Sequence, residues 1–192
     1  AAFSELFETR TSVLPVSTGT VANSIALAAV TPPWGSVFCH RNAHILNDES
    51  GAPEFFGNGL RLVPVDGAEG RFTADALVRT IRATEGHGVH SYQASAVSLT
   101  QATESGTVYQ PGEIESICEA AAGHGLAVHL DGARFGNAVA ALGCHPADVT
   151  WRAGIQLLSF GASKNGCLAA EGLLIFHDRL RGGRGLDPDS LR

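Results

Sequence analysis

The sequence contains no methionine, a single lysine and four cysteines, and these shortages exclude several classes of protein. The cysteines are widely spaced and form no Cys-x-x-Cys pair, which is typical of free thiols in a reducing compartment. They are Cys39, Cys118, Cys144 and Cys167. Lysine and arginine number 13 against 19 acidic residues, a formal net charge of -6, and they form no basic cluster. A nucleic-acid-binding surface is therefore not expected.

Long apolar runs are also missing from the chain. No run reaches the roughly 18 apolar residues that a membrane-spanning helix needs. The first residues, AAFSELFETR, lack the basic region and the apolar stretch of a secretory signal peptide. We therefore expect a cytoplasmic protein without membrane contact. Because the chain has no initiator methionine and starts inside the helix-like FSELFETR, we also expect an N-terminal arm to be missing.

What the sequence does contain is a regular alternation of strand-like and helix-like segments. Hydrophobic residues make up 44% of the 192 residues, which favours an α/β fold whose strands are covered on both faces. Apolar or β-branched runs predict strands at 35–40, 61–66, 94–101, 126–133, 154–160 and 172–176. Helix-like stretches lie at 20–30, 73–84, 111–125 and 135–143. This alternation predicts a three-layer α/β/α fold around a mostly parallel sheet.

One domain is predicted over residues 1–178, because no internal repeat or low-complexity segment interrupts the alternation. The sequence RLRGGRGLDPDSLR at 179–192 then turns to glycine, arginine, aspartate and proline without apolar periodicity. We expect this segment to be a tail, or a shortened link to a further domain.

A turn of small residues, STGTVANSIAL at 17–27, leads directly into the first long predicted helix. The free N–H groups of a helix N-terminus, the helix dipole and nearby hydroxyls together bind anions such as phosphate. Ser17, Thr18 and Thr20 supply such hydroxyls. The alternative is an ordinary structural cap, since Ser, Thr and Gly are common at helix starts.

Asp131 and Arg134, in the sequence HLDGAR, lie where a predicted strand ends and the next helix begins. Ligands of parallel α/β sheets bind at the carboxyl ends of the strands, so both side chains are expected to face a ligand crevice. A carboxylate in this position can pair with a protonated heteroaromatic nitrogen and keep the ring charged as an electron sink. The alternative for Asp131 is a turn or helix-capping aspartate.

Lys164, in LSFGASKNG, is the only lysine of the chain and follows a predicted buried strand. Small flanking residues allow a ligand to approach, so its amine is a candidate for Schiff-base formation. No GxGxxG, phosphate-loop lysine or GxSxG motif is present, so nucleotide binding and serine hydrolysis have no sequence support.

Two histidines, His40 and His44, stand four residues apart near Asp48 and Glu49. These residue types can bind a metal, but the glutamate that follows the first histidine of a metalloprotease motif is missing, so no metal is predicted. A histidine that stacks on a planar cofactor or carries a proton is the preferred interpretation of His44.

Five separated stretches resemble the low-specificity L-threonine aldolases of the β-eliminating lyase superfamily, which are fold-type I pyridoxal-phosphate enzymes. These stretches are PVSTGTVANSIALAAVTPPWGSVFCH, AHILNDESGAPEFF, VSLTQATESGTVYQPGEI, VHLDGARFGNAVAALGC and LSFGASKNG. The resemblance extends over about residues 5–178. It implies that residues 1–178 are the cofactor-binding large domain, with pyridoxal 5'-phosphate as the cofactor.

The resemblance also implies a role for each candidate residue that contacts the cofactor. Lys164 forms the Schiff base with pyridoxal phosphate, and Asp131 pairs with the pyridine nitrogen. His44 stacks on the ring and takes part in proton transfer at the substrate β-hydroxyl. The cofactor phosphate is bound by the start of the first long helix, at Thr18, Gly19 and Thr20.

For the substrate, the resemblance implies a β-hydroxy-α-amino acid whose carboxylate contacts Arg134. Thr103, in TQATE, stands where many members carry a histidine in ENTHN and where a related branch carries TQATE, and it is expected to contact the substrate side chain. The implied reaction is cleavage of the Cα–Cβ bond of L-threonine or L-allo-threonine into glycine and acetaldehyde. The implied full-length assembly is a homodimer or homotetramer.

Two alternatives stay open on the sequence alone. The Lys164 and Asp131 machinery is shared with other fold-type I reactions such as β-elimination, transamination and racemisation. We also expect the family's C-terminal small domain to be missing. A non-catalytic, cofactor-binding fragment is therefore the second alternative, and we expect this polypeptide alone to be weakly active or inactive.

Overall fold

The computed structural model describes residues 2–180 except Glu85 and His87. Of the predicted tail at 179–192, residues 181–192 lie outside the described residues. Within the described part of the chain, no helix is both long enough and apolar enough to cross a membrane.

In the described residues a single sheet of seven strands runs in the order β1-β7-β6-β5-β4-β2-β3. Pairs among β2 to β6 are parallel, while β7 is antiparallel to both β6 and β1. The mostly parallel sheet predicted from the sequence is confirmed. The strands are β1 Thr11–Val16, β2 Gly35–His40, β3 Arg61–Val65, β4 Gln93–Thr100, β5 Ala127–Gly132, β6 Leu157–Gly161 and β7 Glu171–Phe176.

Helices connect the strands and cover both faces of the sheet. They are α1 Ala2–Leu6, α2 Gly19–Val30, α3 His44–Asn47, α4 Ala52–Phe56, α5 Ala74–Thr84, α6 Pro111–Gly123, α7 Phe135–Leu142 and α8 His177–Leu180. Short 3-10 turns lie at Gly88–His90, Pro146–Val149 and Ser163–Asn165. The four long helices predicted from the sequence are all present, with ends that differ by one or two residues.

The three-layer arrangement is visible in how neighbouring residues of one strand divide between two cores. Phe38 belongs to the larger core, which packs under α5, α6 and α7, whereas Val37 and Cys39 belong to a core on the other face with Leu27 of α2. Successive strand side chains point to opposite faces, so this division requires cover on both sides. The three-layer α/β/α prediction is confirmed.

The edge strand β1 is the one strand that the sequence patterns do not predict. Its side chains from Ser12 to Pro15 are exposed, so it shows no burial alternation, and Pro15 interrupts the pattern. Proline is tolerated at a sheet edge because no neighbour needs its missing N–H group. The antiparallel pairing with β7 places the end of β1, and hence the start of α2, at the carboxyl edge of the parallel strands.

Candidate active site

Asp131 is the second-to-last residue of strand β5, at the carboxyl edge of the sheet, and is 4% exposed. Its Oδ2 accepts a hydrogen bond from Asn23 Nδ2 at 3.0 Å, and its Oδ1 accepts from the backbone N–H of Ala133 at 3.1 Å. Both donors are neutral groups. A buried carboxylate held only by neutral donors among the described residues is a suitable partner for a cationic ligand atom.

Burial raises the pKa of Asp131 above its usual range. The hydrogen bonds from Ala133 and Asn23 work in the opposite direction, and the nearby negative charge of Glu49 raises the pKa further. A positive charge at Asp131 would relieve this burial cost, because it favours the ionised carboxylate.

Asn23 connects Asp131 to a second buried carboxylate. Its Nδ2 also donates to Oε1 of Glu49 at 2.8 Å, and the same Oε1 lies 2.9 Å from Nδ1 of His44. The side chain of Glu49 is fully buried, and that of His44 is 29% exposed. The result is a hydrogen-bonded chain, His44–Glu49–Asn23–Asp131, which runs from the surface of α3 to the end of β5.

From the sequence, Glu49 is a candidate only as a metal ligand, and Asn23 is not a candidate site residue. The available signal was the position of Asn23 on the buried face of a helix made otherwise of small and apolar residues, where an amide needs partners. The partners themselves are 26 and 108 residues away in sequence, so no local pattern identifies them.

His40 and His44, which stand four residues apart in the sequence, have different partners in the fold. His40, the last residue of β2, accepts from the backbone N–H of Asn42 at Nδ1 and lies 3.3 Å from the carbonyl of Gly67 through Nε2. It does not join the His44 chain. Over the described residues, no three His, Cys, Asp or Glu side chains converge in a way that could hold a metal ion.

Helix α2 begins at the same edge of the sheet, and Thr18 is its N-cap. Thr18 Oγ1 accepts from the backbone N–H of Val21 at 3.2 Å. The first N–H groups of the helix, at Gly19 and Thr20, have no carbonyl partner within it and are therefore the natural donors to an anion. Space is open beside Gly19, where an added Cβ would meet nothing nearer than Glu171 Oε2 at 3.8 Å.

Lys164 lies in the 3-10 turn that follows β6, and it is exposed. The next residue, Asn165, fastens this turn to the loop after Asp131. Its Nδ2 donates to the carbonyls of Gly161 at 2.6 Å and Ala133 at 3.2 Å, and its Oδ1 accepts from the N–H of Asn137 at 3.2 Å. The sequence analysis missed this amide, although it directly follows the candidate lysine.

The two candidate substrate residues are differently placed. Arg134 is the N-cap of α7, with its Nη1 3.7 Å from Oε2 of Glu104 in a partly exposed ion pair. Thr103 is buried, and its Oγ1 lies 2.8 Å from Oγ1 of Thr107 within the loop after β4. A contact between Thr103 and substrate stays a prediction.

The mostly parallel sheet and the polar side chains at the carboxyl ends of its strands describe an α/β protein with one ligand-binding edge. Residues 1–182 match the Beta-eliminating lyase family, and the chain belongs to this family.

Within it, the chain is 46% identical to the low specificity L-threonine aldolase of Pseudomonas aeruginosa over 91% of this chain and 50% of that protein. It is 44% identical to the enzyme of the same name from a Pseudomonas species, over 93% of this chain and 51% of that protein. The solved structure of Leishmania major threonine aldolase superimposes with a TM-score of 0.82 at 29% identity, covering 93% of this chain and 52% of the other. The chain therefore spans about half the length of the relatives it matches.

Proposed function

We propose that the protein is a pyridoxal-phosphate-dependent lyase that cleaves L-threonine or L-allo-threonine into glycine and acetaldehyde. The observation that carries this proposal is the buried Asp131, held by neutral donors at the edge of the sheet where the α2 N-terminus and the Lys164 turn also lie. The 44% and 46% identity to proteins named low specificity L-threonine aldolase supports the choice of substrate.

The donor set fits pyridoxal phosphate. The N–H groups at Gly19 and Thr20, with the Thr18 cap beside them, would hold the phosphate, and Asp131 would hold a proton at the ring nitrogen. The Lys164 amine would anchor the cofactor covalently. When bound, the cofactor supplies an electron-poor ring that accepts the electron pair released as the Cα–Cβ bond breaks.

The other residues would bind and deprotonate the substrate. Arg134 would bind its carboxylate, which requires the 3.7 Å ion pair with Glu104 to open. His44 would stack against the ring and accept the proton of the β-hydroxyl. Thr103 would contact the substrate side chain from the loop after β4. Because a carboxylate held beside the ring nitrogen stabilises the charge that develops during cleavage, Asp131 contributes mainly in the transition state.

The cellular setting forms part of the same proposal. A reducing cytoplasmic location is supported by Cys39 and Cys118, which are buried free thiols rather than disulfide partners. Assembly into a homodimer or homotetramer is supported by the exposed aromatic side chains of Trp34, Phe55 and Phe56. Residues 1–178 would form the large domain, and 179–192 a tail or a shortened link to a further domain.

The test is product analysis with pyridoxal phosphate and L-threonine. Because this polypeptide alone is expected to be at most weakly active, we expect a low rate of release of acetaldehyde and glycine, in equal amounts, from the wild type. Neither product should rise above background with Lys164→Arg, which keeps the charge but cannot form the covalent link. Pyruvate and ammonia from L-serine, without acetaldehyde from L-threonine, would show a β-eliminating enzyme instead. No product from either amino acid at saturating cofactor would contradict the proposal.

A further inference from the structure

Glu49 stands out because its side chain is fully buried while its hydrogen bonds lie at one carboxylate oxygen. It and Asp131 are the two buried acidic residues in the described part of the chain. Fully buried carboxylates are rare in proteins unless they are paired, because removing the charge from water is costly. Oε2 of Glu49 has no hydrogen-bond partner among the described residues, so all of its bonding is concentrated in Oε1.

The bonding at Oε1 determines which atom of His44 carries a proton. Asn23 Nδ2 can only donate, so Oε1 of Glu49 acts as an acceptor at 2.8 Å. His44 Nδ1 lies 2.9 Å from the same oxygen. An ionised carboxylate has no proton to donate, so with Glu49 ionised the hydrogen bond requires Nδ1 of His44 to be the donor. A neutral histidine that donates from Nδ1 has a bare Nε2, which is an acceptor.

Resting on the function proposed above, we propose that Glu49 is a positioning residue that holds His44 as the Nδ1–H tautomer and so presents Nε2 as the base for the substrate β-hydroxyl. In this step the O–H bond breaks and its proton passes to Nε2. The oxygen would then form the aldehyde C=O bond as the Cα–Cβ bond breaks, and the electron pair would be left at the glycine carbon, whose negative charge the bound cofactor would stabilise. A proton gained later at that carbon balances the one taken from the hydroxyl.

Asn23 makes the arrangement specific to this pair of carboxylates. One hydrogen of its Nδ2 goes to Glu49 and the other to Asp131 Oδ2 at 3.0 Å. The Asn23 amide therefore fixes the position of the Glu49 carboxylate relative to that of Asp131. The contact between Glu49 and His44 resembles the one by which a buried aspartate fixes the histidine tautomer in serine proteases.

The first experiment is a nitrogen NMR spectrum of ¹⁵N-histidine-labelled protein, with His44 assigned from the His44→Gln variant. The chemical shifts distinguish a protonated ring nitrogen from a bare one. At a pH where the ring is neutral, we expect the wild type to show a protonated Nδ1 and a bare Nε2. A bare Nδ1 with a protonated Nε2 overturns the proposal, and the measurement needs neither cofactor nor substrate.

The second experiment compares Glu49→Leu and Glu49→Gln with the exposed neighbour Asp48→Asn as control. Glu49→Leu should lose the Nδ1–H tautomer and lower kcat about 100-fold, while KM changes less than about threefold. Glutamine keeps an oxygen acceptor at the Oε1 position, so Glu49→Gln should retain the tautomer and recover part of kcat. If Glu49→Leu folds and keeps both the Nδ1–H tautomer and the wild-type kcat, the proposal is contradicted. If Glu49→Leu does not fold, loss of the Nδ1–H tautomer in Glu49→Gln contradicts it.

The two proposals fail in different ways. A wild-type protein that releases no acetaldehyde contradicts the aldolase function, while the tautomer measurement still decides whether Glu49 sets the proton position on His44. Conversely, normal acetaldehyde release with a protonated Nε2 leaves the function standing and removes the role of Glu49.

Discussion

At the scale of single residues, the site depends on charges that the fold buries without a matching cation among the described residues. Asp131 and Glu49 are linked by one amide, and His44 is the neighbouring group that can become positive. Such an arrangement is costly for folding and is typical of sites that a charged ligand completes. Stability and activity should therefore respond differently to changes at these positions.

The Asp131→Asn variant should separate the effect on stability from the effect on activity. The variant keeps the side-chain shape and loses one of two hydrogen bonds, but it also removes a buried charge. We expect the free energy of unfolding to change by no more than about 1 kcal/mol and kcat for L-threonine to fall by about 100-fold or more. Denaturant unfolding and steady-state kinetics provide the two values.

The matched control for this prediction is Asp75→Asn, which changes an exposed aspartate in the first turn of α5 and should alter neither quantity. An Asp131→Asn protein that is strongly destabilised yet retains near-normal kcat would show that Asp131 is a structural residue. The prediction would then be wrong.

How much of the site the sequence predicts depends on the range of the interactions. Asp131, Arg134 and Lys164 are predictable because each lies at or shortly after the end of a strand, and the carboxyl ends of parallel strands meet at one edge. The roles of Glu49 and Asn23 were not found, because they depend on contacts between α2, α3 and β5 that only the folded chain brings together.

At the scale of elements, three neighbouring strands are joined by a buried histidine below the site. His129 of β5 lies 2.9 Å from Ser98 Oγ of β4 through Nδ1, and 2.9 Å from Ser159 Oγ of β6 through Nε2. It shares a face of β5 with Asp131, two residues later. Burial lowers the pKa of His129 from 6.5 to about 3.

This depressed pKa predicts a loss of stability in acid. Between pH 6.5 and about 3 the unfolded chain binds a proton at His129 and the folded chain does not. The contribution of His129 is therefore complete above pH 6.5 and falls by about 1.4 kcal/mol per pH unit as the pH drops towards 3. Asp131, whose folded pKa is raised, contributes in the opposite direction, so the histidine must be isolated by a variant.

His129→Gln provides that isolation, with the exposed His124→Gln as its control. The difference in unfolding free energy between wild type and His129→Gln should shrink as the pH falls through this window, and it should shrink more than the difference between wild type and His124→Gln. Parallel pH profiles for wild type and His129→Gln would contradict a neutral, buried His129.

The elements themselves were largely predictable, and the exceptions have physical causes. The interior strand β2 is buried along its whole length, so its apolar run is unambiguous. The edge strand β1 is mostly exposed and contains Pro15, so neither alternation nor composition marks it. The strand predicted at 154–160 corresponds to β6, which starts only at Leu157, because Gly154 adopts a positive φ in the preceding turn.

At the scale of the whole molecule, the fold collects polar groups at one edge of an otherwise apolar sheet. The antiparallel pair β1 and β7 extends the parallel core and returns the chain so that α2 starts at that same edge. The alternation of strands and helices predicted this layout.

The most direct measurement of the central claim is the visible absorption spectrum of the purified protein titrated with pyridoxal phosphate. Lys164 is the only lysine in the chain, so a lysine-bound cofactor reports on a single position. We predict a saturable band of the lysine-bound cofactor in the wild type that is missing from Lys164→Arg. The absence of a band at saturating cofactor, or an equal band in Lys164→Arg, would contradict the assignment of this edge as a pyridoxal-phosphate site.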